Sequence, residues 1–483
     1  MTYLNKDILI LIFEELENDS KSLYSCLLVN RTWCELVVPI LWRNPYISSN
    51  NPKIVSLFNV ILLYLSEESR DALKNQGINN LITEKVYERP LFNYIYFWKY
   101  LELSFLESLI SSKEFEKLKI AIIRNEILRI FINKNTKLIH LCVPYYYDYQ
   151  LQQLPGAESC LSELEFLYCH TKNDQNILEG LARICRSIKK LFVGIENDDS
   201  GIIKLIEAQK NLKEVKFISI IDNISFHKSL EESLTKHANT IRYLKIGWTP
   251  ITKFLSYLTN LLKFEIYFID DFIKWNNLNY YENLSMPVLK ILRLIRIPSD
   301  LLINLIKNTK ETLTEISVFC DNSTIIQAIY QNCPNLRYLK LTIFANFITP
   351  IPEFENLLTN CQLLNGLVVE TEDDDNNEFS WDELFIILSK SSPNSLFKFK
   401  FGFGTIKLKE IKLFFDNWKD KVPILLIVYI GFCYYQMEKK QQIEAIIKEY
   451  QEKGIIRKYS LGHQSSTYIH NDDFEWIYEG RSL

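Results

Sequence analysis

Asn332-Cys333-Pro334-Asn335-Leu336-Arg337-Tyr338-Leu339-Lys340-Leu341 is the stretch that decides the fold, because its apolar-x-x-apolar-x-apolar pattern returns down most of the chain. Eleven copies run from Leu138/Leu141/Val143 to Leu396/Phe399/Phe401, with middle residues 20 to 32 positions apart. Among them are Leu161/Leu164/Phe166, Ile188/Leu191/Val193, Leu289/Leu292/Leu294 and Leu336/Leu339/Leu341, and a degenerate twelfth lies at Leu425/Ile427. Self-similarity at this period marks one supersecondary unit stacked many times. Before the quoted stretch, Ser323 to Tyr330 has the character of a capped helix that ends ahead of Pro334, and a strand follows. A single such unit cannot bury its apolar face, so neighbours must stack. The expected fold class is therefore α/β, a solenoid with a long curved parallel sheet and helices on its outer side.

These copies resemble leucine-rich repeats, and Asn332-Cys333-Pro334-Asn335-Leu336 is similar to the cysteine-containing variety. The asparagine or cysteine that usually follows the last strand leucine is mostly missing here, so strand and helix order is better specified than turn geometry. The repeats are assigned to residues 138–436. Residues 437–483 are expected to be a C-terminal repeat or cap, with a charged helix to Lys453, a stop at Gly454, a strand-like Ile455 to Tyr459 and an irregular end containing Trp476.

A 483-residue chain that is 47% apolar is long enough for such an array plus something small. Its net charge of −4 argues against a general binder of nucleic acid or of anionic membranes, since both call for a strong positive field. The ten cysteines are scattered in apolar segments without a C-x-x-C pair, and no histidines stand at metal-ligand spacing. Reduced buried thiols, no metal and no cofactor are expected. Lys6 and Asp7 lie within the first helical pattern, so no secretory leader is expected, and the compartment is taken as cytoplasm or nucleus. The apolar runs Ile54 to Leu65 and Val422 to Tyr435 are shorter than the roughly 20 residues of a membrane span and are expected in the core.

Residues 1–45 do not follow the repeat. Three short amphipathic segments carry Leu4, Ile8, Leu9, Ile12, Phe13 and Leu16, then Leu23, Cys26 and Val29, then Trp33, Leu36 and Leu41-Trp42. So few residues cannot bury this apolar surface among themselves, which implies a partner. The pattern Leu-x-x-Asp-Ile-Leu-x-x-Ile-Phe-x-x-Leu, then Ser-Leu-x-x-Cys-x-x-Val-Asn-Arg-x-Trp, is similar to the F-box, with Asn5 where the family usually has proline. By that resemblance the module docks on the adaptor subunit of a ubiquitin ligase and, through it, on a cullin. Leu4, Ile8, Leu9, Ile12, Phe13, Leu16, Leu23, Val29 and Trp33 match the family's adaptor-facing or supporting positions. A helical cap on the solenoid is the alternative, although a cap needs a single apolar face.

Residues 46–137, rich in aromatics such as Leu91-Phe92-Asn93-Tyr94-Ile95-Tyr96-Phe97-Trp98, are expected to be a packed helical connector, not a flexible linker. Tyr145-Tyr146-Tyr147-Asp148-Tyr149 either anchors a ligand or packs on that connector. Glu370 to Glu378 is expected to be a solvated loop. No G-x-S-x-G, Walker, G-x-G-x-x-G or H-E-x-x-H motif is present, and His227, His237 and His463 stand apart from any nucleophile pattern. No catalytic residue is assigned. The expected function is a non-catalytic substrate-binding subunit of an SCF-type ligase, with a leucine-rich scaffold unconnected to ubiquitin as the alternative.

Strand alternation turns Lys216, Lys245, Glu265, Arg293, Ser317, Lys340, Val368 and Lys400 toward solvent on the sheet's open face. Five of these eight are basic, so the column is expected either to be an ordinary solvated face or to receive an acidic or phosphorylated segment of a protein substrate. Tyr243, Tyr267 and Tyr338 would then serve as anchors beside it.

Overall fold

The structure is a computed structural model that describes residues 5–45, 54–78, 90–111, 116–173, 175–267, 275, 283–309, 311–344, 351–372, 379–403, 406–430 and 437–463. Leu4, the 373–378 part of the acidic stretch and Trp476 lie outside these residues. The chain divides into two compact units, Met1–Phe217 and Ile218–Leu483.

The first unit begins with three helices, α1 (Lys6–Glu15), α2 (Ser20–Cys26) and α3 (Arg31–Leu41). Each starts where a short polar side chain accepts a backbone N–H of the first turn: Asn5 from Asp7, Asp19 from Ser22 and Asn30 from Trp33. Leu9, Phe13, Leu23, Val37 and Ile40 form their common core. Trp42 then stacks on Tyr94 at 4.3 Å between ring centroids, and Trp98 meets Phe131 edge-on at 4.8 Å. The N–H of Lys99 donates to the Arg43 carbonyl at 2.9 Å. The connector is thus a packed aromatic joint. Its apolar run from Ile54 forms the helix Ile54–Leu62, which buries Leu57, Phe58 and Ile61.

The sheet starts inside that connector. β1 (Tyr100–Glu102) runs parallel to β2 (His140–Cys142), followed by β3 (Phe166–His170) and β4 (Lys190–Ile195), and β5 (Glu214–Ser219) reaches the boundary of the unit. Leu101, Leu141, Leu167 and Leu191 share one register and are buried. Trp98/Leu101/Leu103 is therefore a further repeat, within the segment expected to be connector. The copy at Leu161/Leu164/Phe166 is also corrected: the inward set is Leu164/Leu167/Cys169, three residues later, and Phe166 lies on the opposite face. An aromatic residue on the open face mimics a core position, and this caused the slip.

In the second unit, β6 (Tyr243–Ile246), β7 (Lys263–Ile266), β8 (Ile291–Leu294), β9 (Glu315–Cys320), β10 (Tyr338–Phe344), β11 (Gly366–Glu372), β12 (Lys398–Phe403), β13 (Ile424–Ile430) and β14 (Ile456–His463) each pair in parallel with the next. Helices such as Ser323–Asn332, Ile351–Asn360 and Trp381–Ser391 carry the chain between strands. Register aligns Phe399 with Leu426 and Phe401 with Val428, so the inward residues of β13 are Leu426 and Val428 and not Leu425 and Ile427. The run Ile424-Leu425-Leu426-Ile427-Val428 is apolar on both faces and offers no alternation from which to read the register. Met437–Glu452 and β14 complete one more helix-strand unit, tied back by the Tyr450 hydroxyl donating to Asp416 at 2.5 Å.

Among the described cysteines, Cys160, Cys169, Cys185, Cys320, Cys333 and Cys361 are buried free thiols. Cys361 is buried with its sulfur 3.8 Å from the carbonyl of Cys333, and burial pushes its thiol up to about 12. No described helix is long and apolar enough to cross a membrane.

Candidate functional site

The N-terminal helices present two kinds of apolar residue. Leu9, Phe13 and Leu23 form the core, and Leu16 and Trp33 pack half-buried against it. These five lie in the interior of the domain or packed against it. Ile8 and Ile12 are on the other side of α1, 47% and 45% exposed, and Val29 projects from the α2–α3 turn. Leu11, Tyr24 and Leu28, absent from the residues expected from the sequence, join them, Leu28 being 89% exposed. Ile8, Leu11 and Ile12 have the i, i+3, i+4 spacing of one helix face, the signal by which Leu11 could have been found. Six large apolar side chains exposed within residues 8–29 are more than a small soluble domain normally shows to water. Arg43 pairs with Glu14 and Glu17 at 3.3 and 3.2 Å, which fixes α1 against the end of α3.

Residues 6–48 match the F-box-like family. The F-box-like match covers a small part of the chain, and no curated protein matches it. Similar solved structures include two at low identity. The leucine-rich repeat-containing protein LegL7 from Legionella pneumophila is 15% identical, with 68% of this chain and 92% of that one aligned at a TM-score of 0.34. A chain of the yeast Rad7 and Elc1 complex is 14% identical, with 61% and 74% aligned at 0.39.

On the sheet of the second unit, the predicted basic column is present but compensated. Lys245, Glu265 and Arg293 are in one register row, as are Lys340, Val368 and Lys400. Glu265 accepts from Lys263 at 2.8 Å and is 3.4 Å from Arg293 and 3.6 Å from Lys245. Burial pushes its carboxyl up, but the three cations, Arg293 foremost, more than offset this and hold it below the usual carboxylate range. Arg293 also donates through Nε to the buried carboxylate of Glu315 at 2.6 Å. Glu370, expected in a solvated loop, is instead a strand residue 2.8 Å from Lys340 and 3.8 Å from Lys400. Its side chain crosses the neighbouring strand at Gly402, where an added Cβ would fall 2.7 Å from Glu370 Cγ. The expectation that these cations face solvent as a like-charged column is thus corrected: interleaved carboxylates relieve the repulsion, and Val368 and Lys400 are buried. Of the predicted anchors, Tyr243 lies under Lys263 at 4.7 Å and Tyr267 beside Lys245 at 5.2 Å, while Tyr338 is half-buried on β10.

In the first unit, Lys216 sits 4.2 Å over the Phe192 ring. Phe192 meets Phe166 edge-on at 4.9 Å, Phe166 stacks on His140 at 3.9 Å, and His140 tilts against Tyr100 at 5.1 Å. Register alone brings this ladder together, and nothing in the linear sequence joins its members. Of the clustered tyrosines, Tyr147 is buried and the Tyr149 hydroxyl donates to Asn125 on the connector helix. Tyr145 and Tyr146 stay exposed, with the Lys172 ammonium 5.6 and 5.0 Å from their rings.

Two arrangements place a nucleophilic atom beside an imidazole. His140 Nε2 is 3.2 Å from Cys142 Sγ, yet burial drops the imidazole to about 4 and lifts the thiol to about 12, so both are neutral near pH 7. Ser219 Oγ is 3.1 Å from His227 Nε2, and His227 is buried and stacked at 4.6 Å on Trp248, burial lowering it to about 4. Among the described residues, no group of three His, Cys, Asp or Glu could hold a metal ion.

Proposed function

We propose that this chain is a substrate receptor of a cullin-based, SCF-type ubiquitin ligase. The F-box-like domain docks on the ligase adaptor, and through it on the cullin, while the repeats hold a protein substrate. Catalysis lies on other subunits. The observation that carries this reading is the exposed face of Ile8, Leu11, Ile12, Leu28 and Val29 on a domain that matches the F-box-like family. A supporting one is the packed joint from Trp42 through Tyr94 and Trp98 to Phe131, which orients the domain firmly on the first repeats.

The experiment is co-purification of the full chain with the ligase adaptor, with and without the pair Ile8→Asp and Ile12→Asp. Both positions are exposed, so the variant keeps its core and a loss of adaptor reports the interface. Association that the pair abolishes supports the reading. Absence of association in the unaltered chain leaves the repeats as a scaffold unconnected to ubiquitin.

A further inference from the structure

Glu102 ends β1 on the open face of the first unit's sheet, since its neighbour Leu101 is buried in the core and alternation turns Glu102 the other way. Among the described residues its carboxyl makes no hydrogen bond or ion pair, although the residue is half-buried. Burial raises its pKa, and no cation near it pulls the other way. The carboxylates on the second unit's sheet are different, Glu265 and Glu370 each lying among lysines. A half-buried carboxyl that the fold leaves without a partner calls for a cation from elsewhere. The surface around it is aromatic. Tyr100 lies two residues before it on the same strand face, and Cys142, Tyr168 and Phe192 continue its register row on β2, β3 and β4. All of these are half-buried, so none is sealed from solvent. The unit shows twice how its rings take a cation: Lys216 sits 4.2 Å over Phe192, and Lys172 lies 5.0 Å from the Tyr146 ring with Glu196 3.7 Å away.

Resting on the reading that the repeats hold a protein substrate, we propose that the open face of β1 to β3 binds an arginine side chain of that substrate, its guanidinium forked on the Glu102 carboxyl and packed against the rings of Tyr100 and Tyr168. Strands about 4.8 Å apart put Tyr168 about 10 Å from Glu102 along the row, and the strand between them contributes only the short side chain of Cys142. Both groups nearest the carboxyl on β2 are neutral near pH 7, the Cys142 thiol and the His140 imidazole, so neither competes for it as a cation. Arginine is favoured over lysine by the setting. A guanidinium is weakly hydrated, stacks on aromatic rings and meets a carboxylate through two parallel N–H groups. An ammonium is a strongly hydrated point charge and loses more on entering a half-buried aromatic surface.

The test uses the full chain and three fluorescent peptides in anisotropy titrations: one in which arginine alternates with serine, its lysine analogue, and its citrulline analogue, which keeps the shape of arginine without the charge. The arginine peptide should bind, exceed the citrulline peptide by roughly tenfold, the worth of a charge-assisted hydrogen bond, and exceed the lysine peptide severalfold. Glu102→Gln should weaken it by roughly tenfold. Because that change removes a half-buried charge with no partner, its thermal midpoint should be no lower than that of the natural protein, which excludes unfolding as the cause. Glu163→Gln is the control for general attraction, since Glu163 is exposed in the same unit and pairs with Lys137 at 3.2 Å, and it should bind as the natural protein does. No binding of the arginine peptide, equal binding of the citrulline peptide, preference for lysine, or equal losses in Glu102→Gln and Glu163→Gln overturns the proposal. Adaptor co-purification on the same proteins separates the two readings: peptide bound without adaptor removes the ligase and keeps this face, and adaptor bound without peptide does the reverse.

Discussion

The ring of Phe13 meets the indole of Trp33 edge-on, 5.1 Å between centroids, and so locks α1 to α3. Phe13 is 1% exposed, whereas its chain neighbour Ile12 is 45% exposed. Opposite outcomes follow for adjacent residues. Phe13→Ala opens a cavity in a five-residue core and should cost roughly 3 to 5 kcal/mol. That is enough to melt the domain, seen as lost amide protection over α1 to α3. Ile12→Ala should leave protection intact and weaken adaptor binding by roughly 2 kcal/mol. Equal protection in both variants would remove the division between core and contact face.

That division was hidden in the sequence because α1 is apolar on two sides. Ile8, Leu9, Leu11, Ile12 and Phe13 give a helix signal without saying which side is wet. The repeats were legible for the opposite reason: their strand triplets recur with one buried geometry, from Ile188/Leu191/Val193 to Leu396/Phe399/Phe401. Legibility failed where alternation did, at β13, and where an aromatic sat on the open face, at Phe166. The ion pairs were invisible, since Glu315 reaches Arg293 and Glu370 reaches Lys340 across repeats of unequal length.

Leu339 lies in register between Ile316 and Leu367 and is fully buried. Leu339→Ala should cost roughly 2 to 5 kcal/mol. In a stacked array stability is close to a sum of units and their interfaces, so the loss should be local. Hydrogen exchange should speed first in β9 to β11 and the helices beside them. Uniform acceleration over the second unit would contradict the additive picture.

Glu265 makes the second unit acid-sensitive. Its folded pKa lies below the ordinary value of 4.5, so its stabilising contribution is complete above about pH 4.5 and is lost as pH falls through the depressed folded value. Glu265→Gln should be less stable than the natural protein at pH 7, and the difference should shrink by about pH 3. Urea midpoints for both proteins at the two pH values check this. A gap that stays constant would mean that the carboxylate gains nothing from Lys263, Lys245 and Arg293.

His140 and Cys142 separate a binding protein from a cysteine enzyme. A nucleophilic thiol is a thiolate beside a protonated imidazole, which requires a depressed cysteine pKa. Here burial moves both groups the other way, the thiol to about 12 and the imidazole to about 4, and the nearby Glu102 adds to the rise at sulfur. At pH 7 the thiolate fraction is on the order of 10⁻⁵. Alkylation of Cys142 by iodoacetamide at that pH should be slower than that of a free cysteine by more than tenfold, and His140→Ala should not slow it further. Measured by mass spectrometry of the peptide containing residues 138–143, fast labelling that depends on His140 would establish an activated pair and reopen the case for catalysis on this chain.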